Sequence, residues 1–228
     1  MAQLIMALFV EGATDARFLD VIAERTALQI LTSRSHTVVE VLPIQRLHPS
    51  GGEQAQRILA AARDASGYHL LLVHADADAH SPEATWTERI LPGFVLVQEA
   101  AKRNEDVCDR CVAIIPVQMT EAWFLADSDS LLQIIGTQES AENLGLRHTG
   151  RNIESIADPK VYVNNILTNA RRTMPRSRRK YVQLGSLYEP LARRISLERL
   201  KLLPSFLRFH ADLAQSLAKL GLISHMHL

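Results

Sequence analysis

Apolar residues recur along the chain in two patterns, as short unbroken runs and as longer stretches at helical spacing. Unbroken runs are typical of strands buried on both faces of a parallel sheet. They lie at about 3–10, 37–42, 69–76 and 111–117. Helical patterns separate them, the first with Thr14 as its expected N-cap. The alternation predicts an α/β fold with a mostly parallel four-stranded sheet flanked by helices.

The pattern changes near residue 118, after which it is helical or irregular. Short helices are expected at 119–127 and 130–135, and an amphipathic helix at 204–220 closes the chain. Asp158 followed by Pro159 has the form of an N-cap with proline at the first helical position. We therefore expect an α/β core at 1–127 and a helical C-terminal region at 128–228 that packs on it.

Composition indicates an ordinary globular protein. Of 228 residues, 47% are hydrophobic and 22% are charged, and no apolar run approaches the ~20 residues that span a bilayer. The N-terminus lacks the basic segment of a signal peptide, so we expect a cytoplasmic protein with no membrane contact. Cys108 and Cys111 alone cannot supply the four ligands of a zinc site. We interpret them as plain thiols, with a redox dithiol as the alternative.

Net charge is zero, but it is divided unevenly along the chain. Residues 1–170 carry 13 Lys and Arg against 22 Asp and Glu, whereas residues 171–228 carry 12 against 3. An acidic part can hold cations, and a basic part can hold the phosphates on which those cations act. The alternative is that the two parts simply attract each other.

Carboxylates follow three of the expected strands. Glu11, the pair Asp76 and Asp78, and Glu121 would meet at one edge of the sheet, because parallel strands end on the same side. Like charges so close would resist joint ionisation without a counterion, and oxygen ligands favour Mg²⁺ or Mn²⁺. In extended backbone Asp76 and Asp78 point to the same side and can flank one ion. Alternatively, they are loop and cap residues.

Gly12 directly follows Glu11. It permits a tight turn from strand to helix and leaves room for a phosphate to approach the backbone. Thr14 and the amides of the first helical turn would offer that phosphate a partial positive charge. The turn after the first strand is therefore a second part of the expected site.

These motifs carry a resemblance to a known family. Val10-Glu11-Gly12 followed by Asp15, and later a strand ending in Asp76-Ala-Asp78, resemble the two signatures of the Toprim domain, which has a Rossmann-like fold. The chain also resembles a bacterial Toprim-like family of unknown function, related to the overcoming-lysogenization-defect nucleases and often encoded beside ATPases in phage-defence loci. That likeness extends through three further segments, which begin at Thr120, Asp158 and Pro204.

The resemblance implies roles for the acidic residues. Glu11 would act as general acid or base or as a metal ligand, and Asp76 and Asp78 would coordinate Mg²⁺. Glu121 would be the additional ligand of the nuclease branch, and Asp15 a secondary participant. The chain has no tyrosine in a topoisomerase setting and no primase zinc module. The expected activity is therefore metal-dependent phosphodiester hydrolysis, in phage defence with an ATPase partner.

The sequence is also compatible with two other functions. A Toprim-like fold can serve as a binding or sensor module that regulates a partner ATPase without chemistry. Hydrolysis of a nucleotide or a small phosphate ester would use the same ligands, and the basic part of the chain would then be dispensable.

One short segment near the C-terminal region concentrates positive charge. Such a run attracts the backbone of DNA or RNA without reading sequence, although a solvated loop or a contact with an acidic protein would look the same. One of these cations, or Lys160, would offset charge in the transition state. The six cations are Arg171, Arg172, Arg176, Arg178, Arg179 and Lys180.

Three further side chains are secondary candidates. In a regular strand His74 points the same way as Asp76. It would donate a hydrogen bond to a metal-binding carboxylate, carry a proton or simply be a hydrogen-bonded core histidine. His80 is the alternative mobile acid. On a regular helix Asp127 shares the face of Trp123 and lies about 120° from Glu121, and we expect Trp123 to be packing.

Overall fold

The computed structural model describes residues 2–78, 81–148 and 150–224, without the side chain of Arg151. His80 lies outside the described residues. Four parallel strands form the main sheet in the order β4-β2-β5-β6, and two parallel strands, β1 and β3, form a small second sheet. The expected α/β fold with a four-stranded parallel sheet is confirmed. The strands are β1 (Ala2–Leu4), β2 (Met6–Phe9), β3 (Val39–Val41), β4 (Gln45–Leu47), β5 (Leu70–His74) and β6 (Cys111–Ile114).

Two strands differ from the expected ones. The run 3–10 is divided at Ile5, whose backbone N–H donates to Nδ1 of His69, so that β1 and β2 belong to different sheets. The run 37–42 contains β3, which pairs with β1 and lies outside the main sheet. The fourth strand of the main sheet is β4 instead. The hydrophobic pattern missed it because two of its three residues, Gln45 and Arg46, are exposed at the sheet edge.

Helices cover both faces of the main sheet. The first begins at Ala13 with Gly12 as its N-cap, two residues before the expected cap at Thr14. A π-helical turn at Trp86–Ile90 joins α3 to α4 without a break, and Pro92 lies in the first turn of α4. The helices are α1 (Ala13–Arg34), α2 (Gln54–Asp64), α3 (Pro82–Thr85), α4 (Leu91–Lys102), α5 (Glu121–Phe124), α6 (Ser128–Ile135), α7 (Ala141–Leu144), α8 (Pro159–Thr173), α9 (Arg176–Arg179), α10 (Tyr188–Arg194), α11 (Leu197–Leu200) and α12 (Pro204–Lys219).

The two faces of the sheet bury different partners. Met6 and Leu8 of β2 face one cluster that includes α1, α10 and α12, whereas Ala7 and Phe9 face the other, built with α2 and α4. This alternation follows from the two-residue period of a strand. The first cluster contains residues from both expected regions, so the helical C-terminal part packs on the α/β core and shares its hydrophobic interior.

An aromatic series joins the two regions. Phe124 packs against Phe18 of α1 at a ring-centroid distance of 4.7 Å and against Tyr188 of α10 at 4.8 Å. Trp123 is fully buried, as expected, and its indole N–H donates to Ser205 Oγ at 2.8 Å. These contacts hold α5, which begins at Glu121, between the sheet and the C-terminal helices. In the described part of the chain, we find no helix with the length and apolar character needed to cross a membrane.

Candidate functional site

The site lies where β2, β5 and β6 end, on the carboxyl side of the sheet. The segments that follow β5 and β6 stay paired. The Ala77 N–H donates to the Pro116 carbonyl at 3.1 Å, and the Asp78 N–H donates to the Gln118 carbonyl at 2.7 Å. Asp78 and Gln118 then both adopt left-handed backbone, with φ of 49° and 63°. Such conformations cost roughly 1–3 kcal/mol for residues with a side chain, and they concentrate at functional loops.

Asp76 is held firmly by one of its two carboxylate oxygens. Its Oδ1 accepts from the Thr120 backbone N–H at 3.0 Å, from the Thr120 hydroxyl at 3.3 Å and from His74 Nε2 at 3.1 Å. Its Oδ2 accepts no hydrogen bond from the described residues. One oxygen is therefore fixed by the protein, and the other is available to a ligand.

Glu121 has a similar arrangement. It is buried, and its Oε1 accepts from the Tyr188 hydroxyl at 2.6 Å and lies 4.0 Å from Lys160 Nζ. Burial raises the pKa of Tyr188, and the hydrogen bond to Glu121 raises it further, so the hydroxyl keeps its proton and donates. Lys160 lies in the first turn of α8, with 57% of its side chain exposed, and it reaches the site from solvent.

Asp15 is the third carboxylate of this group. Burial raises its pKa, and the charges of Asp76 and Glu121 raise it further, whereas His74 and a contact with the Thr120 hydroxyl lower it. Its Oδ2 lies over Gly12, where an added Cβ would come within 2.6 Å. The space at Gly12 that we expected a phosphate to use is therefore filled by the Asp15 carboxylate.

His74, the last residue of β5, contacts this group through Asp76. It is buried, and Nε2 faces Asp76 Oδ1 and the Thr120 hydroxyl, while Nδ1 has no hydrogen-bond partner among the described residues. Burial alone would lower its pKa, but the hydrogen bond to Asp76 and the charges of Asp76, Asp15 and Glu11 raise it. His74 therefore acts through Asp76 and does not face solvent.

Glu11 and Asp78 have a different partner, Arg89. One guanidinium nitrogen donates to both oxygens of Glu11, at 2.7 and 2.5 Å, and the other donates to the Asp76 carbonyl at 2.8 Å and to Asp78 Oδ2 at 3.3 Å. Asp78, with 53% of its side chain exposed, faces Arg89, whereas Asp76 faces His74 and Thr120. The expectation that Asp76 and Asp78 point to one partner is wrong, because the left-handed turn at Asp78 redirects its side chain.

The donor set suits a hard divalent cation in its chemistry. Asp15, Asp76 and Glu121 supply carboxylate oxygens. Burial is the main cause of the raised pKa of Asp15, the charges of Asp76 and Glu121 add to it, and a cation would relieve that repulsion. Within the described ranges, however, no three His, Cys, Asp or Glu side chains lie close enough to hold an ion together. Rotation of these side chains, and release of Glu11 and Asp78 by Arg89, would be needed to gather all five carboxylates.

Asp127 belongs to another part of the structure. It caps α6 by accepting from the Ser130 backbone N–H at 3.1 Å, it accepts from the Ser196 N–H at 2.9 Å, and it pairs with Arg199 at 2.6 Å. These contacts account for both of its oxygens. As a site candidate it is wrong, because its carboxylate is used to join α6 to the turn before α11.

The six cations of the basic segment fall into two groups, those that bind the loop itself and those that are exposed. Arg171 Nε donates to the Val182 carbonyl at 2.6 Å and Arg179 Nε to the Met174 carbonyl at 2.9 Å, so these two side chains hold the loop itself. The other four cations are exposed and form no ion pair with the described residues. They are Arg172, Arg176, Arg178 and Lys180.

The two cysteines do not take part in the site. Cys108 is buried and Cys111 is half-buried on β6, and both are free thiols. Burial raises the pKa of Cys108 to about 11 and raises that of Cys111 further. Both thiols therefore stay protonated near neutral pH, the opposite of an activated nucleophile.

The chain matches no family model, no curated protein and no solved structure. Three residues of the site were missed in the sequence. Thr120 directly precedes Glu121 and could have been found from that proximity. Arg89 and Tyr188 carry no local signal, because Arg89 lies 78 residues from Glu11 and Tyr188 lies 67 residues from Glu121.

Proposed function

We propose that the protein is a metal-dependent phosphodiesterase acting on nucleic acid, a nuclease of Toprim type. The observation that carries the proposal is that Asp15, Asp76 and Glu121 lie near one another at the carboxyl edge of a parallel sheet, with Lys160 Nζ 4.0 Å from Glu121 Oε1. Ligand sites of open parallel sheets lie at this edge. After rotation toward a common point the three carboxylates would hold a cation, and the exposed amine would bind a phosphate beside it.

In this proposal each residue has a distinct task. Bound Mg²⁺ or Mn²⁺ supplies charge stabilisation and a water of lowered pKa. Asp76 and Glu121 hold the ion through the oxygens that the protein leaves free, while His74, Thr120 and Tyr188 fix their orientation.

The remaining tasks concern the phosphate and the proton. Lys160 binds a non-bridging phosphate oxygen and offsets its charge as the bond breaks. Asp15, with its raised pKa, accepts the proton of the attacking water. Glu11 and Asp78 join the ligand set when Arg89 moves away.

The resemblance to the Toprim-like family supports a role for this activity in phage defence, with an ATPase partner. Under that proposal the partner controls access of the nucleic acid to the site, and the isolated chain cleaves slowly. An experiment therefore compares the chain alone with the chain in the presence of any ATPase encoded beside it.

The test is a comparison of carboxylate variants. Asp76→Asn and Glu121→Gln remove the charge of one ligand each, and Asp64→Asn does the same to an exposed carboxylate at the end of α2. We expect the first two to lose at least about 100-fold in cleavage with Mg²⁺ or Mn²⁺, and Asp64→Asn to cleave like the wild type. Full activity of Asp76→Asn would overturn the proposal.

A second candidate is a binding module without chemistry. The contacts of Arg89 favour it, because an internal guanidinium already neutralises Glu11 and Asp78 without any metal. In that case nucleic acid would bind in EDTA, and neither Mg²⁺ nor Mn²⁺ would lead to cleavage of single- or double-stranded DNA or RNA. Metal-dependent cleavage that Asp76→Asn abolishes would exclude the module.

A further inference from the structure

Helix α8 connects the two charged parts of the molecule. It begins beside the acidic group, where Lys160 Nζ lies 4.0 Å from Glu121 Oε1. It ends at Thr173, inside the basic segment. From Lys160 to Arg172 the helix rises by about 18 Å. Any ligand that contacts both charged parts has this helix as the direct path between them.

A row of polar, exposed side chains runs along this whole length of α8. Residues four apart are neighbours on a helix, each about 40° further round it, and the four that form this row are all exposed. None carries a negative charge. The Thr168 hydroxyl donates to the Asn164 carbonyl at 2.8 Å and the Asn164 amide to the Lys160 carbonyl at 3.0 Å, which leaves the second amide hydrogen of Asn164 free for a ligand. We name this row the α8 track, and it consists of Lys160, Asn164, Thr168 and Arg172.

The surroundings of the α8 track are also free of negative charge in sequence. No Asp or Glu occurs from Pro159 to Tyr188, a stretch of 30 residues with seven Lys and Arg. At the overall frequency of 25 acidic residues in 228, about three would be expected there. The segment that follows the acidic group thus lacks the charges that would repel a phosphate backbone.

The far end of the α8 track has features that suit unpaired bases. A cavity of about 330 Å³ opens between the end of α8 and the loop 136–139, with Thr173 and Arg178 on its wall. Beside it, Tyr181 is 67% exposed, with Lys180 Nζ 4.8 Å from its ring centre. A cavity and an exposed aromatic ring can take a base that has left its stack, whereas paired bases in a duplex are not available to them.

We propose that the α8 track binds the sugar–phosphate backbone of a single nucleic-acid strand, which it leads from the basic segment to the acidic group. The proposal deepens the function proposed above by naming the form of its substrate. If its bases stay stacked at about 3.4 Å per nucleotide, the strand places about five nucleotides along the 18 Å axial rise from Lys160 to Arg172, and fewer where bases leave the stack. Arg172, Arg176, Arg178 and Lys180 hold one end of the strand, and Lys160 holds the phosphate beside the carboxylates.

The test measures binding by fluorescence anisotropy in EDTA, with fluorescein-labelled dT12, rU12 and a 12-base-pair duplex as probes. Thr168→Glu places a negative charge in the middle of the track, and Thr32→Glu does so on an exposed threonine of α1. We expect Thr168→Glu to weaken dT12 or rU12 binding about fivefold and Thr168→Lys to strengthen it by a similar factor. The controls Thr32→Glu and Thr32→Lys should bind like the wild type. Thermal unfolding of each variant checks that the fold is kept.

Length and salt dependence give two further readouts. Affinity should rise steeply as the strand reaches about six nucleotides and then level off, and Arg172→Gln should reduce the salt slope by about 0.7.

Unchanged binding of the Thr168 variants, or a duplex that binds as tightly as dT12 and rU12, would overturn the track. Binding that depends on the α8 track without cleavage in Mg²⁺ would support the track and reject hydrolysis. Cleavage by Thr168→Glu at the wild-type rate would support hydrolysis and reject the track. The ratio of dT12 to rU12 affinity tells which nucleic acid the track prefers.

Discussion

Arg89 binds both oxygens of the Glu11 carboxylate with one guanidinium nitrogen, at 2.7 and 2.5 Å. The same side chain reaches Asp78 and the Asp76 carbonyl. A positive group from the protein itself thus lies where the sequence led us to expect a metal ion. Any cation that binds Glu11 and Asp78 must first displace Arg89.

Replacing Arg89 should therefore strengthen metal binding. In Arg89→Gln, Glu11 and Asp78 lose their internal cation, and we expect Mn²⁺ affinity to rise by about tenfold because the free carboxylates repel each other. The variant should be less stable than the wild type without metal and should gain more in Tm across a MnCl₂ titration. Arg103→Gln, which breaks the exposed contact with Glu105, is the control. Equal Mn²⁺-induced Tm shifts in wild type and Arg89→Gln would show that Arg89 does not compete with the ion.

Tyr188→Phe should separate orientation of Glu121 from packing. The change keeps the ring that packs on Phe124 and removes the hydroxyl that donates to Glu121. Loss of a donor to a buried carboxylate costs about 1–3 kcal/mol, and loss of a residue that orients a ligand costs about 10- to 100-fold in metal affinity.

The matched control is Tyr162→Phe, which removes a hydroxyl bonded to the Gly145 carbonyl, away from the carboxylates. Chemical denaturation measures the stability of both variants, and Mn²⁺ titration measures affinity. Only Tyr188→Phe should lose affinity. A comparable loss in both variants would mean that the effect on Mn²⁺ comes from general destabilisation.

Asp127 should make folding sensitive to acid. Burial alone would raise its pKa, but hydrogen bonds from Ser196 and Ser130 and the charge of Arg199 lower it below the ordinary value. The unfolded state then takes up a proton at higher pH than the folded state. The resulting stability is fully present above the unfolded pKa of about 3.9 and is lost as pH falls through the lowered folded pKa.

We expect Asp127→Ala to cost about 2–3 kcal/mol at neutral pH, since both the helix cap and the ion pair are lost. Asp127→Asn should cost less, because asparagine also caps helices. Urea unfolding from pH 7 to pH 3 measures the difference from the wild type, which should shrink at the acid end. A difference that stays constant with pH would contradict the role of the charge.

Gly12→Ala should disturb the site without disturbing the fold. Gly12 has φ of −112°, which alanine adopts freely, but the new Cβ would lie 2.6 Å from Asp15 Oδ2 and push that carboxylate aside. We expect at least about a tenfold loss of cleavage, because displacement of a reacting group by about 1 Å has effects of this size or larger. Gly185→Ala, at a position with open space around it, is the control. Wild-type rates in Gly12→Ala would exclude a catalytic role for Asp15.

The local hydrophobic pattern was sufficient to predict the buried strand β5 and the helix α12, but it did not predict the strand at the edge of the main sheet. β5 has five buried residues and was visible as an apolar run, and α12 was visible through its helical period. β4 has one buried residue in three and carries no such signal. The partner of β3 could not be read either, because a strand pattern records burial and not the neighbour with which the strand pairs.

The sequence by itself determined that Asp76 and Glu121 follow strands that end at one edge of the sheet, because parallel strands bring their carboxyl ends to the same side whatever the details of packing. It determined the N-cap of α8 at Asp158 in the same way, since a cap depends on neighbours in the chain, whereas the cap expected at Thr14 lies at Gly12. Only the tertiary structure decided that Arg89 neutralises Glu11, that Tyr188 holds Glu121 and that Asp127 pairs with Arg199. Those contacts join residues 67 to 78 positions apart, and side-chain packing, which no local pattern encodes, selects them.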